Sequence, residues 1–211
     1  MKSKKYFVSV GLFIAFIAWT ILVSIVDVAS IGPNNSAVGF SSINGYMHDL
    51  IGVNMTLYAL TDWLGLVAIG IALILAILGL AQLIKRKSIL KVDRSLLLLG
   101  CYYIFVIFVF LFFERIIINY RPVLILGKLE ASYPSSTTML VLCVASSALV
   151  QIKERIKNRA VRLIFLSLLM LYAVFMVGGR VLSGVHWFSD IIGGVLISSA
   201  LFATYIAACD K

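Results

Sequence analysis

The residues most suited to chemistry in this sequence lie near its C-terminal end. Arg180, His186 and Asp190 form the pattern R-x5-H-x3-D, and the chain has only two histidines. Residues four positions apart share one face of a helix, so Asp190 is placed to hydrogen-bond His186. A carboxylate that orients an imidazole is typical of catalytic sites. His186 and Asp190 are therefore the candidate catalytic pair.

The composition predicts that these residues lie in a membrane protein. Hydrophobic residues make up 62% of the 211 residues and charged residues 13%, and the mean hydropathy is +1.09, which is unusual for a soluble domain. We therefore expect an all-α, polytopic membrane protein with six transmembrane helices in one bundle, and a single domain over residues 1–211. The apolar runs, each near the roughly 20 residues that cross a hydrocarbon core, are approximately Tyr6–Ala29, Trp63–Ile84, Leu96–Ile118, Ser135–Ile152, Leu163–Val181 and Trp187–Ala208.

Lysine and arginine collect on one side of the predicted bundle. The two ends of the chain and the loops after the second and fourth runs hold 14 of the 18 basic residues. Cytoplasmic loops retain an excess of Lys and Arg, so we expect both termini in the cytoplasm. The net charge of +9 then reflects topology and attraction to anionic lipids. Membrane lipids are expected partners, and nucleic acid is not, because the basic residues flank the spans and form no groove.

The outer side has one long loop and few cations. The loop covers about residues 30–62, where turn residues are frequent and a short helix is expected to carry His48 and Asp49. Two helices are predicted to end and two to begin at this depth, and arginines beside helix N-termini suit a phosphate. An outward-facing anion site is therefore expected. The four outer cations are Arg115, Arg121, Lys128 and Arg180.

Three segments resemble the signature of the type 2 phosphatidic acid phosphatase family, written K-x6-R-P, P-S-G-H and S-R-x5-H-x3-D. Membrane members of that family have six helices and carry the motifs in the outer parts of the third to sixth spans, so the resemblance covers the whole chain. The third motif is the specific one. The matching segments are Arg121-Pro122, Pro134-Ser135-Ser136-Thr137, and Gly179-Arg180 through His186 to Asp190.

The resemblance implies an extracytoplasmic lipid-phosphate phosphatase that needs no metal or other cofactor. His186 would be the nucleophile that attacks phosphorus, and Asp190 would keep the other ring nitrogen protonated. Water would then hydrolyse the phosphohistidine. The substrate would be a lipid phosphate or a polyprenyl diphosphate. The phosphate-binding residues would be Arg121, Ser135, Ser136, Thr137 and Arg180.

The sequence departs from the family pattern at three positions. Glu114 stands where the first motif has Lys, Thr137 replaces the second-motif His that protonates the leaving group, and Gly179 replaces the third-motif Ser. A threonine hydroxyl is no proton donor near neutral pH. Another acid must then reach the site, or the leaving group must need little assistance. The candidate auxiliary residues are Arg115 for the missing cation and His48, Glu130, Asp49 and Tyr133 for the missing acid.

These departures leave alternatives open. The leaving group of a diphosphate is a phosphate, whose second pKa is about 6. The leaving group of a monophosphate is an alkoxide, which resembles hydroxide, and the conjugate acid of hydroxide is water, with a pKa of about 15.7. This difference favours a diphosphate substrate. A degenerate family member that binds or transports a lipid phosphate without hydrolysis is the second functional hypothesis. Three of these features also have a purely structural explanation. Arg121-Pro122 fits a turn at the end of a helix, Pro134–Thr137 fits a helix N-terminus, and His48 fits an ordinary loop histidine.

Overall fold

The computed structural model describes residues 2–210, and helices make up most of that range. Six of its seven α-helices are long and apolar enough to cross a membrane, which confirms the predicted all-α, multi-pass architecture. The short exception is α2, on the outer side. The helices are α1 (Lys2–Ile25), α2 (Ser41–Ile51), α3 (Met55–Arg86), α4 (Arg94–Arg115), α5 (Ser136–Arg155), α6 (Arg159–Leu182) and α7 (Phe188–Cys209).

The helices α5 and α7 form the centre of the bundle. Half of each spanning window is buried, against 17–28% for the other four spans. Both helices contain many small residues, which allow close approach of their neighbours. The first helix packs antiparallel along α7, with Ser9 and Thr204 hydroxyls 2.6 Å apart and Trp19 Nε1 donating to the Ser189 carbonyl at 3.0 Å.

The helix α3 begins earlier than the sequence predicted. The outer loop was expected to reach residue 62, but α3 starts at Met55, where the Asn54 side chain caps it by accepting from Leu57 N. The polar residues Thr61 and Asp62 lower the local hydropathy and made the first turns resemble a loop. With 32 residues, α3 is about 48 Å long, so it extends well beyond a hydrocarbon core of about 30 Å.

The loop between α4 and α5 folds back on itself over the outer end of the bundle. The Arg121 backbone N–H donates to the Glu130 carbonyl at 3.0 Å, and the tight turn at its tip leaves Leu126 96% exposed. Tyr133 anchors the end of the loop near α7, where a Cβ on Gly193 would lie 2.5 Å from the Tyr133 ring. This anchoring holds the residues just before α5 against α7.

The opposite end of the bundle is closed by a polar network around Asp93. The Asp93 carboxylate accepts from Gln82 at 2.7 Å, from Arg86 at 2.8 Å and from Arg155 at 3.1 Å. The Gln82 hydrogen bond, followed by the Arg86 contact, lowers the pKa of Asp93 to about 2. Asp93 therefore stays ionised at neutral pH and links α3, α4 and α5.

Candidate active site

His186, in the loop between α6 and α7, reaches Asp190 through a serine. His186 Nδ1 lies 2.9 Å from Ser132 Oγ, and Ser132 Oγ donates to Asp190 Oδ2 at 2.5 Å. All three residues are buried. The spacing predicted a direct hydrogen bond between His186 and Asp190, but Ser132 lies between them. Asp190 instead turns towards its own helix end, where it accepts from Trp187 N at 3.1 Å.

The Asp190 carboxylate is fully buried and surrounded by donors. Besides Ser132 and Trp187, Asn119 Nδ2 donates to Oδ1 at 3.0 Å and Ser189 Oγ lies 3.4 Å from the same oxygen. Buried carboxylates are tolerated where such donors replace water. These contacts hold Asp190 rigidly as an acceptor beneath the histidine.

The second ring nitrogen of His186 faces a cation. His186 Nε2 is 3.4 Å from Arg121 Nη1, and because a guanidinium has no acceptor, Nε2 is the acceptor of this contact. Burial lowers the pKa of His186 well below its ordinary value of 6.5, and the charges of Arg121 and Arg180 lower it further. The imidazole is therefore neutral at neutral pH, with a lone pair directed towards a positively charged region.

Arg180 supplies the second cation of this region. Its side chain is 1% exposed, and Nη2 donates to Thr137 Oγ1 at 2.8 Å and to Asp62 Oδ1 at 2.9 Å. Its Nε and Nη1 are buried without a hydrogen-bond partner among the described residues. Arg121 and Arg180 both lie over the Tyr58 ring, at 5.7 and 4.9 Å from its centroid. Unpaired buried donors of this kind are matched by phosphate oxygens.

The helix α3 packs where the sequence departs from the family motifs. A Cβ on Gly179 would lie 2.6 Å from Thr61 Cγ2, and a Cβ on Gly65 would lie 3.9 Å from Thr137 Cγ2. Residues Thr61, Asp62 and Gly65 share one helix face. Gly179 therefore permits the close approach of α3 that a serine would obstruct, and this approach places Asp62 against Arg180.

The remaining predicted phosphate-binding residues lie at the start of α5. Ser135 is its N-cap residue, and its hydroxyl, 3.5 Å from Thr138 N, donates to the Thr138 hydroxyl. Ser136 follows as the first residue of the helix, where backbone N–H groups lack helical partners. Arg115, the last residue of α4, is exposed and forms no ion pair within residues 2–210.

Two of the four candidate acids named from the sequence, His48 and Glu130, occupy different positions. His48 lies on α2, with its ring 5.5 Å from that of Trp187, and it lines a cavity of about 10 Å³ together with His186. Glu130 Oε2 is 3.2 Å from Arg121 Nε, a charge contact that is not aligned as a hydrogen bond. Neither is bonded to Arg180 or Thr137.

Four site residues were missed by the sequence analysis. Asn119 lies two positions before Arg121, and Ser132 lies two positions before Pro134. Their closeness to the motifs in the sequence is the feature that could have identified them as site residues. Tyr58 and Asp62 lay within the predicted outer loop and had no comparable signal. No group of three or more His, Cys, Asp or Glu residues suited to a metal ion occurs among residues 2–210.

The fold and the site define a multi-pass membrane protein with a buried histidine facing two arginines. The family model of the PAP2 superfamily matches residues 100–210, more than half of the chain, so the chain belongs to the PAP2 superfamily. The match covers all three motif segments and nearly all of α4 to α7. Members of this superfamily are phosphatases, which supports a phosphoric ester hydrolase acting on lipids.

A solved structure shares the whole architecture. The crystal structure of the first transmembrane PAP2 type phosphatidylglycerolphosphate phosphatase from Bacillus subtilis matches with a TM-score of 0.65 and 18% sequence identity, over 95% of this chain and 94% of that chain. At this identity the likeness supports the fold. A comparison with curated proteins found no match.

Proposed function

We propose that this protein is a metal-independent phosphatase that hydrolyses a lipid phosphate or a polyprenyl diphosphate through a phosphohistidine at His186. The observation that carries the proposal is the 3.4 Å approach of His186 Nε2 to Arg121 Nη1, beside unpaired donors of Arg180. A neutral, fixed imidazole is a nucleophile. The two guanidinium groups supply the positive charge that stabilises a transferring phosphoryl group.

The reaction proceeds in two displacements at phosphorus. Nε2 of His186 attacks, the bond from phosphorus to the leaving oxygen breaks, and that oxygen takes up a proton. Asp190 stabilises the positive charge that develops on the imidazole. Water then attacks the phosphohistidine and loses a proton, the P–N bond breaks, and inorganic phosphate leaves. Arg121, Arg180 and the backbone N–H groups at the start of α5 hold the phosphoryl oxygens.

An apolar cavity supports a substrate with a hydrocarbon chain. It has a volume of about 480 Å³, lies between α3, α4 and α5, and extends to Ser136 and Thr137. A lipid whose headgroup lies at the arginines would place its chain along this surface. Without an acid in the place of the second-motif histidine, a diphosphate headgroup would be favoured, since a phosphate leaving group needs less protonation than an alkoxide.

The test is phosphate release by purified protein from phosphatidate, phosphatidylglycerophosphate and polyprenyl diphosphate. Release from at least one substrate supports hydrolysis. Binding of a lipid phosphate without release from any of them favours the second function, a degenerate family member that binds or transports lipid phosphates. Glu114 and Thr137, which replace the motif Lys and His, are the observations that motivate it.

We further place both termini in the cytoplasm and the site at the extracytoplasmic face, because most cations lie at the end of the bundle opposite His186. Two exposed leucines provide a matched test: Leu126 is 96% exposed in the outer loop, and Leu90 is 90% exposed between α3 and α4. With the three native cysteines replaced, Leu126→Cys should react with a membrane-impermeant maleimide in intact cells. Leu90→Cys should react only after permeabilisation, and the reverse pattern would invert the proposed topology.

A further inference from the structure

We propose that Asp62 of α3 is the catalytic acid and base of this site, in the role of the absent second-motif histidine. The inference rests on the proposed phosphatase function. It concerns a residue outside the 100–210 segment that matches the family. The assignment follows from the position of Asp62 beside Thr137 and from its exposure. Among residues 2–210, moreover, no other carboxylate is bonded to Arg180.

The position of Asp62 is defined through Arg180. Nη2 of this arginine donates both to Thr137 Oγ1 at 2.8 Å and to Asp62 Oδ1 at 2.9 Å. Thr137 occupies the motif position of the acid, so the Asp62 carboxylate lies next to that position. The contact of Thr61 with Gly179 explains how α3 comes close enough to supply it.

The exposure of Asp62 suits it to proton transfer. Its side chain is 62% exposed, whereas that of Arg180 is 1% exposed. The carboxylate therefore lies at the mouth of the site, near the outer end of α3, while the arginine forms its floor. Glu130 is paired with Arg121 and His48 packs on Trp187, so neither competes for this position.

Substrate binding provides the proton that Asp62 donates. Without substrate, the carboxylate pairs with Arg180. A bound phosphate takes over the Arg180 donors and frees the carboxylate, which carries a proton taken up together with the substrate. Asp62 then gives this proton to the leaving oxygen as the P–O bond breaks. In the second displacement the carboxylate takes the proton of the attacking water. It releases this proton to solvent when inorganic phosphate leaves and Arg180 pairs with the carboxylate again.

The test compares Asp62→Asn on a lipid monophosphate and on the diphosphate of the same lipid, either phosphatidate with diacylglycerol diphosphate or polyprenyl phosphate with polyprenyl diphosphate. The kcat for the monophosphate should fall by about 10²-fold or more, since its alkoxide must be protonated. The kcat for the diphosphate should fall by less than about tenfold, because phosphate leaves readily without an acid. Glu154→Gln removes the charge of an exposed carboxylate near the end of α5 opposite Thr137; it is the control and should change neither kcat.

Other outcomes overturn the assignment. Equal losses on both substrates would mean that Asp62 only balances the charge of Arg180. An unchanged kcat in Asp62→Asn would mean that Asp62 is not a proton donor. The same conclusion would follow if the wild type cleaved diphosphates but no monophosphate. In both cases the phosphatase function would stand. A wild type that hydrolyses nothing would remove the phosphatase function and this inference together.

The geometry of the histidine points to a second role, independent of Asp62: Ser132 is a positioning residue that fixes the tautomer of His186. A serine hydroxyl has one hydrogen and can accept further bonds. Ser132 Oγ is 2.5 Å from Asp190 Oδ2 and 2.9 Å from His186 Nδ1. An ionised carboxylate only accepts, so the serine hydrogen goes to Asp190.

This assignment decides where the imidazole proton lies. With its hydrogen given to Asp190, Ser132 Oγ accepts from His186 Nδ1–H, and the lone pair of the neutral ring is on Nε2. That nitrogen faces Arg121, on the side where phosphate would bind. When Nε2 attacks phosphorus, the charge of the imidazole is stabilised by Asp190 through the hydroxyl.

Nuclear magnetic resonance tests the tautomer without any activity assay. Because the chain has only two histidines, ¹⁵N-histidine labelling gives two imidazoles, and His48→Gln identifies the signals of His186. The wild type should show a protonated Nδ1 and a free Nε2, and Ser132→Ala should shift the population towards the Nε2–H form. A wild type with Nε2–H, or a tautomer unchanged in Ser132→Ala, would overturn the role of Ser132.

Turnover provides the second measurement. Ser132→Ala should lower kcat by about 10- to 100-fold, the equivalent of one lost hydrogen bond in a charged network, with little change in KM. Ser132→Thr keeps the hydroxyl and should recover most of the kcat. A threonine variant as slow as the alanine variant would show that packing, and not the hydroxyl, is what Ser132 contributes.

Discussion

His186→Ala is expected to abolish phosphate release from every lipid substrate, with a loss of about 10⁴-fold or more in kcat. The reason is that Nε2 of His186 forms the bond to phosphorus in the first displacement. The burial that lowers the pKa of His186 keeps this nitrogen unprotonated at neutral pH, so no other residue has to activate it. The side chains bonded to its ring are the Arg121 guanidinium and the Ser132 hydroxyl, and neither has a free basic nitrogen that could replace it as nucleophile.

The second histidine of the chain supplies the matched control. Protein incubated with ³²P-labelled substrate and quenched rapidly should contain acid-labile, alkali-stable label. The label should be present in wild type and in His48→Ala, and absent from His186→Ala. Because the chain has no third histidine, this pattern assigns the phosphorylated residue without further mapping.

A different pattern would select the degenerate-binder function. If wild type and His186→Ala release no phosphate from any substrate, while both bind a lipid phosphate, the arginines serve binding alone. Label that persists in His186→Ala and disappears in His48→Ala would instead show that His48 on α2 is the nucleophile. That result would contradict the role inferred from the contact of His186 with Arg121.

The membrane fold was predictable because its signals are local. Six apolar runs with cations at alternate ends determine the number of spans in any arrangement of the helices. The third motif was also readable, since Arg180, His186 and Asp190 lie close together in the sequence and bracket one helix start. These features consist of residues that are close in the sequence, so they can be recognised without knowing any tertiary contact.

The residues that complete the site depend on contacts between distant segments. The sequence predicted an apolar run that begins only at Trp63, after the polar residues Thr61 and Asp62, although the Asn54 cap starts the helix earlier. The approach of α3 to Gly179 is a tertiary contact, and no spacing in the sequence encodes it. Two departures from the motif, Gly179 and Thr137, are therefore understood only when α3 is in place.

The same limit applies to the link between His186 and Asp190. The i, i+4 spacing predicted a helical pair, but His186 precedes α7 and only Asp190 lies within it. The missing partner comes from the loop before α5, held by Tyr133 against α7. A spacing rule for helices does not apply across a helix start.

Arg180→Lys is expected to lower kcat/KM by about 10²- to 10³-fold, although the positive charge is kept. Arg180 Nη2 is already shared by Asp62 and Thr137, while the unpaired Nε and Nη1 remain for the phosphoryl group. A lysine ammonium has one nitrogen and cannot serve both sets of partners. The affinity of the Arg180→Lys protein for inorganic phosphate, measured as competitive inhibition, should fall together with its kcat/KM.

Lys128→Ala is the control, since Lys128 is an exposed cation on the same outer loop and should alter neither quantity. Because Arg180 is buried, thermal unfolding of Arg180→Lys and Arg180→Gln must accompany the kinetics to show that each variant is folded. Folded Arg180→Lys with wild-type kcat/KM and phosphate inhibition would contradict the arrangement, because charge alone would then suffice. A loss in Arg180→Lys as deep as in Arg180→Gln would instead show that the planar fork, with donors on two sides, is what positions phosphate in front of His186.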